Sequence, residues 1–108
     1  MTVRQLSLEL ELEPINEAEP DREITGGYTG DLLSWVMGRA DQGHVWVTIM
    51  TNINIAAVAT LADVSAIVLA EGVRPEQDVI NTAREHGINI YSSPLDSFEL
   101  CGRIYALL

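Results

Sequence analysis

From residue 44 onward, short apolar runs rich in β-branched residues alternate with longer segments of helical character. This alternation constrains the fold more than any other feature. His44–Met50 (H-V-W-V-T-I-M) is a nearly continuous β-forming run, as expected of a central strand buried on both faces. Ala66–Leu69 (A-I-V-L) and Ile88–Tyr91 (I-N-I-Y) are shorter runs of the same kind. Between and after them the sequence predicts three helices. The first is capped by Thr51 or Asn52 and runs through Leu61. The second starts at Pro75 and stops at Gly87, and the third occupies about 95–107 after Ser93 and Pro94. Strand and helix in strict turn imply the α/β class: a single three-layer domain with a mainly parallel central sheet flanked by helices. Right-handed crossovers then bring the C-terminal strand ends to one rim. The turns Thr51–Asn54, Ala70–Arg74 and Ser92–Asp96 meet that rim.

The first 43 residues are less regular. Leu6, Leu8, Leu10 and Leu12 alternate as in a strand, whereas Val3, Leu6 and Leu10 share a helical face, and Thr2 and Gln5 have capping-box spacing. The preferred reading is a helix over about 3–10 and then a strand near Leu12–Ile15, held to an edge by Pro14. Asn16–Arg22 reads as a loop. Thr25–Gly30 (T-G-G-Y-T-G) reads as a flexible turn, followed by Asp31 and a helix carrying Leu32, Leu33, Trp35, Val36 and Met37.

Length and charge bound the function. The 108 residues, 47% of them hydrophobic, fit one domain spanning 1–108 with a full core. Sixteen acidic residues against six arginines and no lysine give a net charge of −10. Half of that excess lies in residues 1–23. Such a chain repels phosphate backbones and anionic membrane surfaces, so nucleic acid and membranes are not expected partners. No apolar run is long enough to span a bilayer. The start lacks a basic head and an apolar h-region, so a cytoplasmic location is expected. Cys101 is the only cysteine, which agrees with a reducing compartment, and its apolar helical setting predicts core packing. His44 and His86 have no metal-ligand spacing with it, so neither a metal nor a cofactor is expected.

Ligand-binding candidates fall in two places. Thr25, Gly26, Gly27, Tyr28 and Thr29, leading to Asp31 at a helix start, have the form of a backbone cradle for an anion. They match neither a P-loop nor a dinucleotide fingerprint, and a tight turn closed by an Asp cap explains them as well. At the rim, Thr51, Asn52 and Asn54 offer hydrogen bonds at the mouth of the central strand, where open sheets favour ligands. Ser92 and Ser93 stand at the last strand end; Gly72 and Arg74 complete the set, Arg74 being the one nearby cation. There is no nucleophile elbow and no H-E-x-x-H, so the chain is not expected to be an enzyme. The weakest alternative is catalysis by Asp31 and the Thr25–Gly30 turn. Trp35, Trp46 and Met50 are expected in the core.

Ile24–Met37, Val45–Ile49, Asn54–Ala59 and Ser97–Tyr105 together resemble the small, stand-alone DRTGG-domain proteins, over about residues 3–107. The family's Asp-Arg after the central strand corresponds here to Thr51-Asn52-Ile53, and its Thr-Gly-Gly to Ala70-Glu71-Gly72, so that a cation is lost and an anion gained. Asp21-Arg22 and Thr25-Gly26-Gly27 spell a similar string, but before the wrong elements. Related domains sit beside CBS domains in regulated pyrophosphatases, and stand-alone forms accompany iron-only hydrogenase and electron-transfer genes. The resemblance implies a non-catalytic regulatory or protein-interaction module, accessory to such redox systems. The alternative is a sensor of a nucleotide or phosphorylated metabolite at the C-terminal rim of the sheet.

A homodimer is also expected. Ile53–Leu61 is apolar except at Asn54 and Thr60, and Leu95–Leu108 carries more large apolar residues than one helical stripe holds. A helix that is apolar all round needs cover on two sides, and two-fold association is the commonest means.

Overall fold

The computed structural model describes residues 1–108 as five helices and five strands. In chain order they are α1 (Val3–Glu9), β1 (Glu13–Asn16), β2 (Gly26–Thr29), α2 (Leu33–Arg39), β3 (His44–Thr48), α3 (Asn54–Ala62), β4 (Ala66–Leu69), α4 (Gln77–His86), β5 (Ile90–Ser92) and α5 (Ser97–Leu107). The strands form one sheet in the order β1-β5-β4-β3-β2. β2, β3, β4 and β5 are parallel, and β1 pairs antiparallel with β5 at one edge.

Period-two alternation along β3 and β4 divides the core between the two faces. Trp46, Ile67 and Leu69 pack with Val36 of α2, Ile55 and Val58 of α3, and Val79 of α4. Val45, Val47 and Val68 pack on the other face with Val3 and Leu6 of α1 and with Leu100 and Ile104 of α5. Three helices thus cover one face and two the other, the three-layer arrangement expected. Burial on both faces explains why β3, β4 and β5 read as mostly apolar runs.

The local signals at the N-terminus resolve toward the helix. The capping box forms: Gln5 N–H donates to Thr2 Oγ1, and Thr2 N–H donates to Gln5 Oε1. Gly87 ends α4 in the left-handed conformation at φ 69°, as expected. Pro14 does lie on an edge strand, one residue further along the chain than predicted.

Several expectations fail. Thr25–Gly30 is not a flexible turn. Gly26–Thr29 forms β2, paired in register with His44–Val47. The neighbouring strand imposes an extended backbone that glycine accepts as readily as a turn. Neither Thr51 nor Asn52 caps α3; Asn52 Oδ1 accepts the Asn54 N–H in a turn just before it. Asp96, not Ser93, caps α5, accepting the Glu99 N–H at 2.8 Å. Pro75 is buried two residues ahead of α4. Trp35 lies at the surface, 51% exposed, with the Arg39 guanidinium 3.8 Å above its ring. Cys101 and Met50 do pack against the core as expected, but each is only half-buried.

Candidate functional site

The C-terminal ends of β2 to β5 form the expected rim, and the chain uses its own polar groups there. Asp31 does not cap α2; Leu32 occupies that position with no side-chain bond. Instead Asp31 Oδ1 accepts from Thr48 Oγ1 at 2.7 Å and from Ile49 N–H at 3.0 Å, tying the β2 exit to the end of β3. Thr48 Oγ1 in turn accepts the Met50 N–H. At the end of β5, Ser92 Oγ donates to the Val73 carbonyl, and Ser93 Oγ accepts the Leu95 N–H. Gly72 N–H donates to the Ser93 carbonyl, and Glu71 accepts the Ser97 N–H through its carboxylate. Glu71 and Gly72 both have positive φ, 62° and 70°, so the turn that leads from β4 toward α4 is left-handed, and it is hydrogen-bonded to the residue after β5.

Arg74, the cation of the rim, pairs with the Glu13 carboxylate of β1. The remaining rim charges, Asp31, Glu71 and Asp96, are negative. Thr51 and Asn52 are half-buried at the β3 mouth, and Asn54 is exposed. Thr29 reaches this end of the sheet. Thr25 and Gly26 lie at the opposite end, where Thr25 Oγ1 donates to the Gln42 carbonyl and Gly26 faces the His44 ring. The glycine-rich candidates are therefore spread along a strand instead of forming a cradle at a helix start, and Gly26, Gly27, Tyr28 and Thr29 border a groove beside that strand. Tyr28 turns to the α2 side of the sheet, packed against its core. The structure brings Thr29, Asp31, Thr51, Asn52, Gly72, Arg74, Ser92 and Ser93 to one rim and leaves Thr25, Gly26 and Tyr28 outside it.

A second feature lies on the α5 face. α5 covers β3 but not β2, and the uncovered strip is a groove of about 450 Å³. Val45 and Val47 line its floor with Gly27 and Thr29, and Cys101 and Tyr105 form the α5 wall. A shallower extension runs past Phe98 and Gly102. Phe98 is 91% exposed and Tyr105 85%. Gly26, Gly27, Tyr28 and Thr29 of the sequence candidates border this groove, whereas its α5 wall was not among them. Its signal was present: Phe98, Cys101, Gly102 and Tyr105 stand at the i, i+3, i+4, i+7 spacing of a helical face distinct from that of Leu100 and Ile104.

No three metal-binding side chains are grouped, and no helix is long and apolar enough to cross a membrane. His44 opens β3 at the end remote from the rim, and His86 closes α4. Burial, then the hydrogen bond to and charge of Glu17, push the Tyr91 phenol well above its usual range, with Arg4 slightly offsetting them. Its hydroxyl donates to Glu17 at 2.7 Å. That contact fastens a loop to the sheet.

Among known proteins, the family model described as DRTGG domain matches residues 33–107. One similar solved structure holds the CBS and DRTGG domains of the regulatory region of Clostridium perfringens pyrophosphatase, complexed with its activator diadenosine tetraphosphate. The TM-score is 0.72 at 18% identity, over 92% of this chain and 44% of that one. The likeness is one of fold, and the present chain spans less than half of the length of that solved chain. No curated protein matches the chain.

Proposed function

The chain belongs to the DRTGG-domain family, and on that premise we propose that it is a non-catalytic regulatory module acting through protein–protein contact. The observation that carries this reading is the state of the rim. Its Thr48, Ser92 and Ser93 hydroxyls and its Asp31 and Glu71 carboxylates are engaged in internal hydrogen bonds, its cation is paired with Glu13, and its remaining charge is negative. An anionic ligand gains little from such a surface. The large exposed side chains of α5 offer contact area of the kind that interfaces use. In this reading the module is a homodimer and works in the cytoplasm. Its partners there are iron-only hydrogenase or electron-transfer proteins, as the family resemblance implies.

A second reading, a nucleotide sensor, is favoured by the dinucleotide in the Clostridium perfringens structure. One thermal-shift experiment separates the two. Adenine nucleotides, dinucleoside polyphosphates and phosphorylated metabolites are each added in large excess. A ligand at a hundred times its dissociation constant stabilises the native state by about 2.7 kcal/mol, a rise of about 12 °C for a domain of this size. The interaction reading expects no shift with any of them, and a saturable shift overturns it in favour of the sensor. The redox assignment is tested by reciprocal capture from native cytosol. A hydrogenase or electron-transfer subunit retained in both directions supports it, and retention of none removes it.

A further inference from the structure

The two edges of the sheet are unlike. β1 carries Glu13 and Pro14 and has a register irregularity between Pro14 and Asn16. Charge, proline and bulge are the usual devices that stop a sheet from adding another strand. β2 has none of them. Its sequence is Gly-Gly-Tyr-Thr, it is regular against β3, and β3 is its only neighbour in the sheet. In a parallel pair, alternate residues bond the neighbouring strand, so half of the β2 amides and carbonyls point outward.

The face beside this edge is also unusual. Every residue of β2 and of the groove above it is uncharged in a chain of net charge −10. The only charges within α5, Glu99 and Arg103, pair with each other at 2.7 Å. Gly102 sits in the middle of the helix, where a Cβ would meet nothing within 4 Å. A helix gains by replacing such a glycine, so nothing within the single chain accounts for it.

We propose that the β2 edge and the outer face of α5 form the homodimer interface, with β2 pairing antiparallel to β2 of a second copy. This deepens the self-association in the proposed function and rests on it. Charge selects the occupant. A basic partner finds no unpaired side-chain carboxylate on this patch, whereas a second acidic copy is tolerated only on a surface without net charge. The geometry agrees. A two-fold axis through the β2 seam sets the two β3 strands three strand spacings apart, about 14 Å. The two α5 helices, each over its own β3, then lie on the same side of the seam. Packed helices approach to about 8–10 Å, so large side chains are needed between these two. Phe98 and Tyr105 stand where that space opens, beside a groove able to receive aromatic rings. The area suffices. A standard interface takes about 800 Å² from each partner, near one seventh of the chain's 5652 Å². Two exposed aromatics supply roughly 350 Å² of that, and Leu108 and the strand edge add to it.

The test is sedimentation equilibrium of the wild type, Gly102→Glu and Leu61→Glu, with circular dichroism melts of each. Gly102→Glu places a charge in the seam but in open space within one copy. Leu61, 71% exposed beside the α3–α4 groove, is the control on the other helical layer. The expected result is a wild-type mass of twice 11.8 kDa. Gly102→Glu then raises the dimer dissociation constant about tenfold or more with no loss of helicity, and Leu61→Glu remains dimeric. A wild type that stays at 11.8 kDa at every concentration overturns both this interface and the dimer of the proposed function. A dimeric wild type whose Gly102→Glu variant is equally dimeric overturns this interface alone. Loss of the dimer in Leu61→Glu would move the contact to the α3–α4 layer.

Discussion

Replacing Asp31 distinguishes a structural tie from a binding or catalytic carboxylate, because the two roles predict opposite signs. Asp31 Oδ1 accepts two hydrogen bonds, from Thr48 Oγ1 at 2.7 Å and Ile49 N–H at 3.0 Å. A hydrogen bond to a charged group contributes about 1.5–3 kcal/mol. Asp31 is exposed, which lowers its share, and one oxygen serves both donors, so the two do not add in full. Against that, Thr48 is only 2% exposed, and Asp31→Ala leaves its hydroxyl proton without this acceptor. The net expectation is a loss of about 2 kcal/mol, or about 8–10 °C in Tm. Asp31→Asn keeps a carbonyl oxygen and should lose about half as much. The assay is thermal and urea denaturation of Asp31→Ala, Thr48→Val and the double variant. The cycle should return a coupling of about 1 kcal/mol. Functional carboxylates commonly destabilise their host, so a neutral or raised Tm in Asp31→Ala would refute the tie and restore Asp31 as a site residue.

Three further outcomes follow from the core. Asn89 is 2% exposed and makes four hydrogen bonds, to Ala18 N, Glu19 N, Glu19 O and Ser65 O, so Asn89→Ala should cost about 3 kcal/mol or more in urea denaturation. Tyr91 binds its proton more tightly when folded. Its contribution is therefore complete below about pH 10, where an unfolded tyrosine ionises, and is lost as pH rises further. Tyr91→Phe should flatten that alkaline decline in stability-against-pH measurements, at a cost of about 1 kcal/mol at neutral pH. Val58 and Ile104 are buried within one copy, so Val58→Asp or Ile104→Asp should abolish the cooperative melt instead of yielding a folded monomer.

What was legible in the sequence, and what was not, divides along the kind of interaction that decides each element. The three strands from residue 44 onward announce themselves because both faces are buried and their runs are mostly apolar. The capping box at Thr2 and the stop at Gly87 are local chemistry, and local chemistry can be read from a few neighbouring residues. β2 has neither kind of signal. Two of its four residues are glycine, and only pairing with His44–Val47, across eighteen positions of chain, makes it a strand. Asp31 illustrates the same limit. Its place before a helix suggests a cap, but the better donors are the Thr48 hydroxyl and the Ile49 amide, delivered by the same pairing. At the rim, a sequence cannot show that Arg74 meets Glu13, since β1 reaches that point only by adding antiparallel to β5. The α5 face is different. Its surplus of apolar residues was plain, and the structure separates it into an inner stripe through Leu100 and Ile104 and an outer one through Phe98 and Tyr105. Only the outer stripe is free to meet another molecule. It lies beside the single sheet edge that lacks charge, proline and bulge, so the surplus on α5 and the bareness of β2 have one common explanation: both belong to a surface that folding of one chain leaves unfinished.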